Sequence, residues 1–148
     1  MSSAYALSNF LDSNDIDIAL ITEHKLLPRS VKFIDSINSN YLSYVNVDQS
    51  IDPLSYVRCG KSGTAVLFKK SMQSYVSRID NVGNERILIV ELKYRNVKPY
   101  YIFCVYMPAC TDLNFYKEIL SEVHALFCYY SKIGSVILGD WNAVISSG

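Results

Sequence analysis

The run Arg86-Ile87-Leu88-Ile89-Val90-Glu91-Leu92-Lys93-Tyr94 decides the fold, together with Tyr100-Tyr101-Ile102-Phe103-Cys104-Val105-Tyr106-Met107 beyond an Asn96-Val97-Lys98-Pro99 break. Both have strand length and are rich in β-branched and aromatic residues. In the first, Ile87 and Ile89 point one way while Leu88, Val90 and Leu92 point the other. In the second, Tyr101, Phe103 and Val105 oppose Tyr100, Ile102 and Cys104. A strand with one wet face would alternate apolar and polar residues. These two therefore need cover on both sides.

Working outward, Gly63–Lys69 and Gln73–Ile79 are also strand-like, with turn signals at Lys70-Ser71 and Asn81-Val82-Gly83-Asn84. Connections this short imply antiparallel hairpins. Upstream, Tyr5 to Leu11 reads as a short helix ended by Asp12-Ser13-Asn14-Asp15, Ile16–Thr22 as a strand, Ser30–Ile37 as a second helix and Tyr41–Val47 as a strand. Asp48–Ser62, with Pro53 and Gly60, is expected to be a loop. Downstream, Thr111–Lys132 carries Leu113, Tyr116, Leu120, Val123, Phe127 and Tyr130 at helical spacing. Thr111 or Asp112 can cap its start and Gly134 suits its end. A short strand, Ser135–Gly139, follows. The helices suffice for one sheet face only, so the other should meet a second sheet. The expected fold class is α+β, mainly one antiparallel-rich mixed sheet with covering helices, making half of a sandwich whose inner face is exposed as a large apolar surface.

Composition narrows the function without choosing it. The 148 residues are half hydrophobic and 19% charged, a globular composition. Fourteen basic residues balance fourteen acidic ones, so attraction to a polyanion would have to come from local patches. Cys59, Cys104, Cys110 and Cys128 form no C-x-x-C pair, and two histidines do not supply zinc-site spacing. Cys104 and Cys128 sit in apolar runs and read as small core residues, reduced in an intracellular setting. No run reaches the ~20 apolar residues of a membrane helix, and no signal peptide is visible at the start. The expected location is nuclear or cytoplasmic, with no membrane partner.

Two polar sites stand where apolar strands stop. Ile18-Ala19-Leu20-Ile21-Thr22-Glu23 ends in a carboxylate followed by His24, and Ser135-Val136-Ile137-Leu138-Gly139-Asp140-Trp141-Asn142 ends in a carboxylate and an amide. A hard cation takes oxygen ligands and keeps several waters. Glu23 could anchor one, Asp140 could orient or deprotonate an attacking water, and Asn142 could donate to a charged phosphorus centre. Taken singly, each site is equally a solvated strand end, a turn or a helix cap. The tyrosines lie mostly in strands, where aromatic residues pack. Lys69-Lys70 and Lys93/Arg95/Lys98 could touch phosphates or simply keep turns solvated. His124 reads as a surface residue of the long helix, His24 as a local hydrogen-bonding group, and Trp141 as packing that fixes its loop.

Asp17-Ile18-Ala19-Leu20-Ile21-Thr22-Glu23-His24, Gly63-Thr64-Ala65-Val66-Leu67-Phe68, the strand pair ending Tyr106-Met107-Pro108, and Gly139-Asp140-Trp141-Asn142-Ala143 come in the order found in one family. Together they resemble the endonuclease/exonuclease/phosphatase superfamily, and most of all the endonuclease domain of LINE-type non-LTR retrotransposons. The resemblance implies a DNase I-like four-layer α/β/β/α sandwich and Mg²⁺-dependent phosphodiester hydrolysis, with Mn²⁺ as the alternative ion. It makes Glu23 the metal ligand and gives Tyr106 a hydrogen bond to the scissile phosphate. Asp140 would position the nucleophilic water and Asn142 would support the transition state. DNA is the implied substrate, nicked endonucleolytically. The family's opening Asn-bearing strand and its closing Ser/Thr-Asp-His element have no counterpart here. Residues 1–148 are therefore expected to be an incomplete domain, inactive alone, with the C-terminal remainder and a reverse transcriptase domain as expected partners. A non-catalytic interaction module of the same fold and a phosphatase with a non-nucleic-acid substrate remain alternatives.

Overall fold

A computed structural model describes residues 3–52, 57–109, 111–130 and 134–143. Helix α1 (Ser3–Ser13) precedes β1 (Ile18–Thr22), a 3-10 turn (Pro28–Ser30), the one-turn α2 (Lys32–Asp35) and β2 (Tyr41–Asn46). Strand β3 (Thr64–Lys69), a second 3-10 turn (Lys70–Met72), β4 (Val76–Arg78), β5 (Ile87–Leu92), β6 (Tyr100–Tyr106), α3 (Leu113–Tyr130) and β7 (Ser135–Asp140) follow.

The strands form two sheets, ordered β1-β3-β2 and β4-β5-β6-β7. All pairings are antiparallel except β6 with β7, which α3 connects as a crossover. The two predicted faces of β5 and β6 are realised. Leu88, Val90, Ile102 and Cys104 pack against Val66 and Phe68 of β3, with Ile18, Leu20, Leu42 and Tyr44 around them. Ile87, Ile89, Phe103 and Val105 pack under Ile119 and Val123 of α3. On the far side, Ala65 and Leu67 of β3 join Leu11 of α1 and Ile34 of α2. The order of layers is α1/α2, first sheet, second sheet, α3. Fully burying each such Leu, Ile or Phe contributes ~1.5–3 kcal/mol, and all three apolar layers share in this.

Several expectations need correction. The sheet that covers the inner face belongs to this same chain, so there are two sheets rather than mainly one, and the inner apolar face is not exposed. Helices cover both outer faces. The Lys70-Ser71 signal is not a hairpin turn. The 3-10 turn there carries the chain from β3 in one sheet to β4 in the other, because β3 is already paired on both edges. The hairpins β4–β5 and β5–β6 do form. Much of the expected second helix is replaced by the Pro28 turn and a single α turn. On α3, Leu113 and Leu120 are exposed, and the core stripe runs Tyr116, Ile119, Val123, Phe127. Cys128 is exposed, whereas Cys104 is buried as expected; both are free, as is Cys59, while Cys110 lies outside the described residues.

Candidate active site

Register fixes which strand ends share one end of the sandwich. Thr22 pairs with Thr64, which pairs with Asn46; Ile87 pairs with Val105, and Tyr106 with Asp140. Glu23, one residue past β1, therefore emerges at the tips of β6 and β7. Lys69 lies at the other end, paired with Asp15 and Asp17 at 2.7 Å each. Lys93, Arg95 and Lys98 lie there too, beyond the Leu92–Tyr100 pair. Neither basic cluster borders the site.

The Glu23 carboxylate pairs with Lys25 Nζ at 2.9 Å, and the Tyr106 hydroxyl faces it closely enough to influence its charge. Lys25 first, then Tyr106, holds this exposed carboxyl below the usual range, with the Lys25 and Arg86 charges helping and slight burial opposing. Tyr106 is buried, and that burial raises its phenol above the ordinary value, reinforced by the Glu23 bond and by the charges of Glu23 and Asp140, while Arg86 opposes. Thus Tyr106 lies within electrostatic reach of both Glu23 and Asp140.

The backbone around these groups is unusual. Glu23 and Asn142 have φ of 55° and 44°, a region that side chains other than Gly, Asn and Asp seldom occupy. Asn tolerates this region, so the strain falls on Glu23, at a cost on the order of 1–3 kcal/mol. Asn142 is held there by two bonds. Its backbone N–H donates to Asp140 Oδ1 at 3.0 Å, and its Nδ2 donates to the Met107 carbonyl at 2.8 Å. The first aims the Asp140 carboxylate; the second ties the loop after β7 to the end of β6. Tyr116 of α3 adds a bond from its hydroxyl to the Trp141 carbonyl at 3.0 Å, and half-buried Trp141 packs into the α3 core. Before Asp140 the chain needs glycine, because a Cβ on Gly139 would sit 1.7 Å from the Val105 carbonyl oxygen.

His24 lies beneath the site. Its Nδ1 accepts from the Leu26 N–H at 3.0 Å, so Nε2 carries the proton and donates to the Asn46 carbonyl, also at 3.0 Å. Burial lowers its pKa, against the opposing backbone bonds, and the ring is a neutral spacer between strand ends. Gly63 lies flat on it, since a Cβ there would approach the imidazole to 2.2 Å. His124 is exposed, 3.6 Å from Cys128 Sγ.

Arg86 was not evident as a site residue in the sequence, where it merely opens a strand. Its guanidinium lies 4.9 Å from the Tyr106 ring and 5.3 Å from that of Phe115, and Nη1 donates to the Tyr106 carbonyl at 3.4 Å. It supplies positive charge behind Tyr106, as Lys25 does beside Glu23.

Among the described residues, no three His, Cys, Asp or Glu side chains gather into a ready-made metal cage. The donors present, the Glu23 and Asp140 carboxylates, are oxygen-only, which suits a hard cation that retains most of its water. Lys25 pairs with the Glu23 carboxylate.

No family profile matches the chain, and no curated protein sequence matches it. Solved structures do. The endonuclease domain of TRAS1, a telomere-specific non-LTR retrotransposon, superposes with a TM-score of 0.67 at 15% identity over 99% of this chain and 56% of its own. D. rerio TDP2 complexed with a single-strand DNA product gives 0.63 at 16% identity, over 97% and 54%. The human Nocturnin catalytic domain with bound sulfate gives 0.63 at 14% identity, over 97% and 57%. The chain thus spans a little over half the length of the structures it resembles. Their shared architecture identifies this chain's fold as DNase I-like.

Proposed function

We propose that this chain carries part of the active end of a divalent-metal-dependent phosphodiesterase acting on DNA, of the retrotransposon-endonuclease kind, with Mg²⁺ or Mn²⁺ as its ion. The single observation that carries this is the meeting of Glu23 and Tyr106 at the β6 end whose last pair is Tyr106 with Asp140. Single-strand DNA bound to one neighbour of the same fold supports a nucleic-acid substrate.

Glu23 would hold the cation, which when bound would neutralise charge on the phosphate oxygens. Tyr106, a phenol protonated at neutral pH and raised further by burial and by Glu23, would turn its O–H from Glu23 to a phosphate oxygen. Asp140, its carboxylate fixed by the Asn142 N–H, would accept a proton from a water attacking phosphorus in line with the leaving 3′ oxygen. Asn142 spends one amide hydrogen on Met107 and keeps a second for the charge that develops. Neither histidine is available as the general acid: both nitrogens of His24 bond backbone groups, and His124 is on α3. The leaving oxygen must therefore draw its proton from elsewhere, so the chain alone should turn over slowly or not at all. Residues 1–148 would form one incomplete domain, completed by a C-terminal remainder and accompanied by a reverse transcriptase domain, in a nuclear or cytoplasmic setting.

Two measurements test this. Mn²⁺ titration should show one specific site that is lost in Glu23→Gln; equal binding by both proteins would refute the metal role. Plasmid nicking with Mg²⁺ should be weak or absent, and robust nicking abolished by Asp140→Ala would show the isolated chain to be a sufficient enzyme. The competing function is a binding module that keeps the fold and the strand-end polar groups without hydrolysis. Absence of any specific Mn²⁺ site would select it.

A further inference from the structure

A second polar cavity, of about 290 Å³, opens at the same end of the sandwich as Glu23 and Asp140, between the tip of β2 and the β4–β5 turn. Its lining includes Asn46, Gln49, Arg78, Asn81 and Asn84. Asn46 joins it to the candidate site, since the Asn46 carbonyl holds His24 Nε2 while its Nδ2 donates to the Ile87 carbonyl at 2.9 Å, next to Arg86.

Arg78 is built into this cavity. Nη2 donates to Asn46 Oδ1 at 2.6 Å and Nη1 to the Val45 carbonyl at 3.4 Å, which fixes the guanidinium plane. Nε is buried and has no hydrogen-bond partner; the exposed Asp80 carboxylate stands 3.7 Å from it, too far for a bond. The side chain as a whole is 33% exposed, so an anion entering the cavity would meet the guanidinium charge there, with the Asn81 and Gln49 amides as further donors.

We propose that this cavity is a subsite for a phosphate of the polynucleotide strand flanking the one at Glu23 and Tyr106, with Arg78 as its charge and Asn81 and Gln49 as its amide donors. This deepens the phosphodiesterase assignment and rests on it. The strand would run across the tips of both sheets, from β1 and β7 toward β2 and β4. Recognition is of backbone, so affinity should be indifferent to base identity and sensitive to salt.

The test is fluorescence anisotropy of labelled single-stranded 12-mers of thymidine, adenosine or cytidine deoxynucleotides, in EDTA so that nothing is cleaved, across a salt series. Arg78→Gln should weaken binding of all three equally and shrink the salt slope by about 0.7, one single-strand phosphate contact. Because Arg78 also clamps Asn46, surface variants provide an independent measure. Asn81→Asp, accommodated at the φ of 58° there, and Gln49→Glu should each lower affinity roughly 3- to 10-fold, whereas Asp80→Asn should raise it, as one like or opposite charge near a phosphate does. If the wild-type chain binds the 12-mers but these surface variants do not change it, the subsite is refuted and the function stands. A loss confined to one base would also refute it, in favour of a base pocket. If the wild-type chain binds no 12-mer, the DNA assignment fails and this subsite with it.

Discussion

Two glycines set the site's geometry through what they lack. Gly139 lets β7 approach β6 until the Val105 carbonyl occupies the space of a Cβ, and the next residue is Asp140. Gly139→Ala must push β7 outward, and chemical denaturation should register a loss of about 3 kcal/mol, the upper range for forced overpacking. Gly63 (φ 126°) plays a similar part against the His24 ring. Cys104 is a residue-scale case of inertness. Burial between the sheets pushes its thiol up to about 12, against weak bonds to the Ala65 and Ile21 carbonyls. Iodoacetamide at pH 8.5 should label exposed Cys59 and Cys128 and spare Cys104, as read by mass spectrometry; modification of Cys104 in the folded chain would mean that the sheets separate readily.

At the scale of elements, α3 shows how tertiary contacts choose among apolar residues. Asp112 caps it, with Oδ1 accepting from the Phe115 N–H at 3.1 Å. Its inward face is pinned by Phe103 against Phe127 and by Tyr101 against Tyr130, with centroids 5.8 and 5.2 Å apart. That orientation puts Ile119 rather than Leu120 inside, one residue being about 100° of helix rotation. It also half-buries Glu122, whose carboxyl is raised by burial and by the charges of Glu85 and Glu118, against the Asn84 hydrogen bond that lowers it. A carboxyl raised above its unfolded value of 4.5 costs stability once pH climbs through the folded pKa, and costs nothing below 4.5. Glu122→Gln keeps an acceptor for Asn84 Nδ2. It should therefore raise the urea midpoint at pH 7, with the gain disappearing as pH falls below about 4.5, the unfolded carboxyl value.

At the scale of the molecule, the two sheets are joined by apolar burial in the middle and by a polar clamp at the end that carries the candidate site. Asn46 of the first sheet donates to the Asn84 and Ile87 carbonyls of the second at 2.6 and 2.9 Å, and accepts from Arg78. Asn46→Leu would take one of two donors from the Asn84 and Ile87 carbonyls, which keep their mutual backbone bonds, and would remove the acceptor of Arg78 Nη2. The expected loss is about 1–3 kcal/mol by the cost of one unsatisfied buried group, measured as a lower urea midpoint. A neutral result would mean that water replaces the amide without penalty.

The two-face apolar pattern of β5 and β6 determined that they lie inside a layered α+β fold, since a strand with no polar face is stable only between two covers. The sequence also determined the strand ends at Glu23 and Asp140, because apolar runs stop where water begins. Local spacing could not say that β3 and β4 part into different sheets, since a short link between strands reads as a hairpin until a competing partner claims the first strand. Nor could it single out Arg86, Asn46 or Arg78, which are ordinary strand-end residues in one dimension. They acquire their roles only when two sheets stack and bring ends distant in the chain to one rim, where burial and neighbouring charges, both properties of three-dimensional packing, set what each group can do.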